Sequence, residues 1–338
     1  MLEKPEKYII FQKTEDSIMK SVNIRDVARE AGISTASVSR WLNGQPGVSR
    51  RTGERITETA RRLGYRPALQ RKTGVIALIF PSLRIQSLGY YTVELLNAFR
   101  HEAAKRGFGV LITAPEDAGL LRENMVSGAV SFDFQRSVGR SFPNLKNIPL
   151  VCLNDPGNPL EEVGTVLTDE RAGIRRALLF LKEKGHRRIG FLSFQDEKAS
   201  LANERRLRAF AEESAGLAGI EPELPPPTLP VTDAVCAILA KRCSALIVAG
   251  EGYEGPVLHT LAMLGKRIPE DLSVITCETP ESRFRTPRQT TIGQDFPAIA
   301  SSALSLLELM LKGETHPAAV EIPPLFTIRE SVGPFPLS

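Results

Sequence analysis

Cysteine, histidine and long apolar runs are scarce in this sequence, and each scarcity excludes something. The four cysteines (Cys152, Cys236, Cys243, Cys277) never form a Cys-x-x-Cys pair, and the four histidines are scattered. That spacing offers neither a metal signature nor a redox dithiol. No metal and no cofactor is expected, and the thiols read as free, buried groups in a reducing cytoplasm. No run of about 18 apolar residues occurs, so a membrane-spanning helix is not expected. The N-terminus, MLEKPEKYIIFQKTEDSIMKS, lacks a basic start, an apolar stretch and a small-residue cleavage site. It does not read as a secretory signal, and the protein is expected in the cytoplasm. Met19 stands just before the first patterned segment, so the stretch ahead of it reads as disordered or as lying ahead of the true start. No Walker loop, GxSxG or HExxH occurs, which leaves the common enzyme classes without residues to stand on.

What is present is ordinary in amount and uneven in placement. At 338 residues, with 42% hydrophobic and 24% charged residues, the chain has the length for two or three compact units with real cores. Residues 20–73 hold twelve Lys/Arg against four Asp/Glu, a net of +8. The whole chain carries +4, so the remainder is mildly acidic at −4. A basic N-terminal module on an acidic body points to a module that meets polyanions and a body with another task.

The basic module has a legible pattern. Asn23 can cap a helix whose apolar positions Ile24, Val27, Ala28 and Ala31 follow helical spacing, with Asp26 adding an acid to its first turn. Gly32 can end that helix in the left-handed conformation. Ser34 caps a second helix with Val38 and Leu42 inward, and a third starts near Ser49 with Ile56, Ala60 and Leu63 inward. Two helices joined by a tight glycine turn and braced by a third form a helix-turn-helix. The outer face of the second helix is small, hydroxylated and basic, as entry into a DNA major groove requires. Thr35 and Ala36 can approach base edges, Arg40 can reach a guanine bidentately, and Ser34, Ser37 and Asn43 can bond phosphate oxygens.

The stretch VNIRDVAREAGISTASVSRWLNGQPGVSRRTGERITETARRLGYRP resembles, without a break, the DNA-binding headpiece of the LacI–GalR family of bacterial transcriptional regulators. The resemblance implies that Thr35, Ala36 and Arg40 read bases. Gly53 departs from it, because arginine is usual there. KGHRRIGFLS, GKRIPEDLSVI, PRQTTIGQD and the late IRES extend the resemblance over nearly the full length. The family's effector domain is periplasmic-binding-protein-like, with a ligand cleft between two lobes, and its members are usually homodimers that bind sugars or related metabolites. The chain has no heptad tail after IRES, which points to a dimer rather than a zipper-built tetramer.

The body's own pattern agrees with such an α/β fold. Short apolar strands (75–80, 109–114, 128–132, 149–154) accompany a helix near 91–106. A second series follows: helix 171–184, RIGFLS, helix 203–215, ALIVAG, helix 256–264 and SVITCE. Repeated strand–helix units imply parallel sheets in two lobes, with ligands at the carboxyl ends of the strands. ELPPPTLP reads as a loop. Aligned by the resemblance, Tyr90, Tyr91, Asn154, Arg206, Glu251 and Glu278 are the expected effector-binding residues. For each tyrosine, packing within its lobe is the alternative. The second-lobe aromatic that the family places near Thr232 is missing.

The expected organisation is an N-terminal extension (1–20), a helix-turn-helix domain (21–67), a shortened linker (68–73) and an effector-binding, dimerisation domain (74–338). The expected partners are a double-stranded DNA operator, a small sugar-like effector and a second copy of the chain, with repression the commoner family behaviour. Only ALQRKT separates Pro67 from the first body strand, barely one helical turn. That leaves no room for the hinge helix that relatives insert into the minor groove, although Leu69 remains available as a wedge. A rival reading starts from GEGYEG (250–255), which matches the dinucleotide fingerprint GxGxxG after a strand and before a helix, and would make the protein a nicotinamide-dependent redox sensor or oxidoreductase. Glu251 and Glu254 count against it, because a pyrophosphate needs bare backbone N–H groups there.

Overall fold

The computed structural model describes residues 24–42, 46–63, 74–80, 89–114, 126–132, 148–154, 163–194, 201–250, 252–314 and 319–335. Asn43, Leu69, Glu251 and the linker lie outside them. The chain divides into two compact units, Met1–Lys72 and Thr73–Ser338.

The first unit holds α1 (Ile24–Ala31), α2 (Thr35–Leu42) and α3 (Arg50–Arg62). Gly32 turns the chain between α1 and α2 at φ 61°, a conformation that L side chains resist. Val27, Ala28, Val38, Ile56 and Ala60 form the core, with Ile24, Ile33, Trp41, Leu42, Val48 and Leu63 packed against it. These are the positions that helical spacing turns inward. Ser34 and Ser49 cap α2 and α3, accepting from the backbone N–H groups of Ser37 and Thr52, each at 3.2 Å. Arg55 donates to the carbonyl of Ala31 at 2.8 Å and so ties α3 to the end of α1.

The second unit is built on two six-stranded sheets. The strands of the first are β1 (Val75–Ile79), β2 (Gly109–Thr113), β3 (Gly128–Ser131), β4 (Leu150–Leu153), β5 (Val163–Thr168) and β11 (Ala319–Ile322), in the order β11-β5-β4-β3-β1-β2. Those of the second are β6 (Arg188–Leu192), β7 (Glu221–Glu223), β8 (Ala245–Val248), β9 (Ser273–Cys277), β10 (Thr290–Gly293) and β12 (Leu325–Thr327), in the order β12-β10-β9-β8-β6-β7. Among the described residues every strand pairing is parallel except that of β10 with β12. The apolar runs of β3, β4 and β8 are wholly buried, as central parallel strands must be. Edge strands carry the exceptions: β2 exposes Ile112, and β7 contains Pro222, which cannot donate to a ladder.

Helices α4 (Tyr90–Lys105), α5 (Glu170–Glu183), α6 (Leu201–Gly216), α7 (Val231–Ala240), α8 (Glu254–Met263) and α9 (Phe296–Lys312) cover the sheets. Described helix and strand positions agree with the sequence expectation to within one or two residues at most boundaries. The tail does not follow the simple two-series reading. After β10 the chain returns to the first lobe, where α9 supplies Ile299, Ala300, Ala303, Leu304, Leu306 and Leu307 to the core beside β3, β4 and β5. Gly128 and Gly164 permit this close approach, since an added Cβ would lie 2.8 Å from Leu307 and 2.5 Å from Leu306. The chain then adds β11 to the first sheet and β12 to the second. It therefore passes between lobes after β5, after β10 and after β11. Two of these passages start a helix with the same device: Asp169 caps α5 and Asp295 caps α9, each accepting a backbone N–H at 2.9 Å.

All four cysteines are free, but the expectation that all are buried holds for Cys152 and Cys243 only. Cys236 is exposed because it lies on the solvent side of α7, and Cys277 is half-buried at the end of β9. His186 is buried between two partners, the Ser244 hydroxyl and the Gly333 carbonyl, each at 3.0 Å. Burial lowers its pKa below the ordinary histidine value. The unfolded chain therefore takes up the proton first, and stability falls as pH drops through about 6.5. Thermal melts between about pH 7.5 and about pH 5.5 are expected to show this fall, and His186→Gln to flatten it. An unchanged slope in the variant would rule out His186 as its source.

Candidate DNA-reading helix and effector cleft

On α2 the residues expected to meet DNA are on the surface. Ser34, Thr35, Ala36 and Arg40 are exposed and Ser37 is partly so, whereas Val38 is fully buried. Arg40 makes no hydrogen bond or ion pair with any described residue. Ser34 is committed to the cap, its hydroxyl bonding both the N–H and, at 2.9 Å, the hydroxyl of Ser37. Ser34→Ala should therefore cost the headpiece about 1 kcal/mol. Thermal unfolding followed through Trp41, the one tryptophan, measures it.

In the second unit, polar side chains gather at the carboxyl ends of the strands. Asn154 follows β4 at φ 56°, a left-handed conformation that asparagine tolerates better than most residues. Its Oδ1 accepts the Thr168 N–H at 3.1 Å, and its Nδ2 donates to the Tyr91 hydroxyl at 2.8 Å. Tyr90 and Tyr91 open α4, and both rings meet the Phe296 ring edge-on, with centroids 5.9 and 5.7 Å away. Tyr91 thus packs within its lobe and presents its hydroxyl to Asn154 as well.

Arg206, on α6, is held in a buried fork. Its Nε and Nη2 donate to the two oxygens of Glu170 at 2.6 and 2.9 Å, and Nη1 donates to Asn203 at 3.2 Å. Burial works against its charge, but Cys277, Glu170 and Tyr91 around it more than compensate, so its pKa stands above the ordinary arginine value. Tyr91 belongs to the first lobe and Arg206 to the second, and Tyr91 is near enough to act on the Arg206 charge. Glu278 is differently engaged. Its carboxylate accepts from Arg329 at 2.9 and 3.1 Å, from Arg283 at 3.3 Å and from the Thr291 hydroxyl. Burial alone would raise its pKa; these donors outweigh that and hold it low.

The GEGYEG loop bends through positive φ at Gly250 and Gly252 and leads into α8. The helix starts with Glu254, which is buried and bonded by Arg285 at 2.9 Å and by Thr279 at 2.7 Å. The first residue of α8 is thus a buried acid, an unfavourable neighbour for a pyrophosphate at that helix end. Tyr253, in the same loop, stacks on Phe194 with centroids 4.2 Å apart and planes 21° apart. These rings follow the carboxyl ends of β6 and β8. Phe194 is buried in the core of the second lobe and Tyr253 is half-buried over it, so this lobe carries an aromatic ring near its surface although the position near Thr232 is not aromatic. The residues were visible in the sequence, but GEGYEG directs attention to its glycines. Glu170 and Asn203 carried no motif at all. Among the described residues, no group of three His, Cys, Asp or Glu could hold a metal ion.

Comparison with known proteins agrees with both units. Residues 23–68 match the bacterial regulatory proteins of the lacI family, and residues 178–332 match a periplasmic binding protein-like domain. The transcriptional regulator MalR of Streptomyces coelicolor is 26% identical over 325 residues, covering 88% of this chain and 92% of MalR. The structure of the regulator CelR in complex with cellobiose superposes with a TM-score of 0.64 at 24% identity, covering 92% of this chain and 99% of CelR. The lac repressor dimer bound to operator and the anti-inducer ONPF gives a TM-score of 0.70 at 20% identity, covering 93% of this chain and all of that one.

Proposed function

We propose that the chain, whose residues 23–68 match the lacI family of bacterial regulatory proteins and which is similar to the transcriptional regulator MalR over most of its length, acts as a homodimeric, cytoplasmic repressor released or recruited by a small sugar-like effector. The observation that carries the DNA half is the outward face of α2, where Thr35, Ala36 and Arg40, the last bonded to no described residue, are exposed on a doubly capped headpiece. Two such helices related by a dimer axis would read the half-sites of a pseudo-palindromic operator. Asn43 adds a phosphate contact in this reading.

For the effector half, Tyr91, Asn154 and Arg206 supply hydrogen-bonding groups from both lobes. Tyr253, half-buried and backed by the core residue Phe194, is the aromatic side chain proposed to stack on a sugar ring. Tyr90, edge-on to Phe296 beside Tyr91, supports the first-lobe side of the site, and Glu251 is the carboxylate proposed to reach ligand hydroxyls. Glu278, held by Arg329, is better suited to fixing the end of β9 than to meeting a ligand. The cellobiose seen in CelR makes oligosaccharides the first compounds to try. The shortened linker is proposed to couple the units without a hinge helix, so operator DNA should be bent little. A strong bend, with Leu69 unstacking a base step, would sink that part.

A thermal-shift screen of the purified chain with sugars, sugar phosphates, nucleosides and NAD(H) tests the reading. A sugar that raises the melting temperature and changes operator affinity supports it. A response to NAD(H) alone would overturn it in favour of a redox sensor.

A further inference from the structure

We propose that Trp41 is a positioning residue for operator reading and that Gly53 is the notch that receives it; the inference rests on α2 being the DNA-reading helix. Trp41 lies in the last turn of α2, directly after Arg40, and packs half-buried against the headpiece core. Its indole Nε1–H donates to Thr57 Oγ1 at 3.0 Å, and the Thr57 hydroxyl donates in turn to the Gly53 carbonyl at 3.0 Å. Gly53 and Thr57, four residues apart on α3, share a face. A Cβ added at Gly53 would lie 2.2 Å from three carbons of the indole's six-membered ring, far inside van der Waals contact. Glycine in a helix interior costs about 1 kcal/mol against alanine, and its φ here is not in the left-handed range. Packing, not backbone conformation, therefore calls for glycine at this position.

The pair sets how closely the end of α2 approaches α3. Bidentate reading of a guanine by Arg40 needs two N–H groups to meet two acceptors, a geometry that a small displacement of the last turn degrades. Phosphate bonds and the general basic charge of the unit tolerate such a shift. Disturbing the pair should therefore reduce selectivity between sequences before it reduces binding to DNA in general. The same clash accounts for the missing arginine at position 53: a long side chain there would have to pass through the indole.

The test uses the full chain, a duplex selected from a random pool by the wild-type protein, single-base variants of that duplex and a scrambled control. Gly53→Ala is expected to lower the affinity ratio between the selected duplex and its variants about ten-fold, with binding to the scrambled duplex changed less than about two-fold. Trp41 emission should shift as the indole is displaced. Trp41→Leu combined with Gly53→Ala should regain melting temperature relative to Gly53→Ala alone, since leucine leaves room for the Cβ. If Gly53→Ala does not fold, Thr57→Val removes only the indole's acceptor and should lower the ratio about three-fold. A folded Gly53→Ala or Thr57→Val protein with the wild-type ratio would overturn the proposal, as would a double variant no more stable than Gly53→Ala. A wild-type protein that selects no duplex would overturn the DNA reading and this proposal together.

Discussion

Arg206→Ala is expected to destabilise the second unit by about 3–5 kcal/mol, a fall in melting temperature on the order of 10 °C. The guanidinium is the forked partner of Glu170, whose side chain is only 2% exposed at the head of α5. Removing the arginine leaves that carboxylate buried without its counter-charge, and its desolvation is then uncompensated. Arg206→Met with Glu170→Leu should restore most of the stability, because an apolar pair of similar volume replaces the ions. It should not restore an effector response, and this separates the structural role from the proposed ligand role. Calorimetry on the single and double variants, with and without the compound found in the screen, reads both. Unchanged melting in Arg206→Ala would discount the ion pair. A full response in the double variant would remove Arg206 from the effector site.

Arg40→Ala should behave in the opposite way, with stability within about 0.5 kcal/mol of wild type and operator affinity reduced by about 1–3 kcal/mol. The side chain is exposed and bonded to no described residue, so its removal costs the fold nothing that can be named. The loss should fall on one base position, and the salt dependence of binding should stay as in wild type. A phosphate contact would instead weaken all sequences alike and reduce the salt slope by about one. Anisotropy titrations of the selected duplex and its variants at several salt concentrations distinguish the two.

The legible parts of this protein share a physical property: their determinants are close together in the chain. The headpiece could be read because Gly32, Ser34 and Ser49 punctuate it and Val27, Val38, Ile56 and Ala60 keep a 3.6-residue period. The strands at 75–79, 128–131, 150–153 and 245–248 could be read because wholly buried parallel strands are unbroken apolar runs. Even the contrary evidence in GEGYEG was local, and the structure places Glu254 at the helix N-terminus where the fingerprint would want a phosphate. The candidate effector residues were legible only through resemblance to a family, since no spacing joins Tyr91 to Asn154 or to Arg206.

By itself, then, the sequence determined the helix-turn-helix, the outward face of α2 and the alternating strand–helix body, because helical and strand periods are imposed within one or two turns of chain. Tertiary structure alone decided which lobe α9 joins, that Arg206 forks onto Glu170, that Glu278 is held by Arg329, and that Trp41 fills the notch at Gly53. Each of these depends on where a distant segment arrives. A hydrogen bond or a steric fit between residues 12 to 51 positions apart leaves no periodic trace for a sequence to carry.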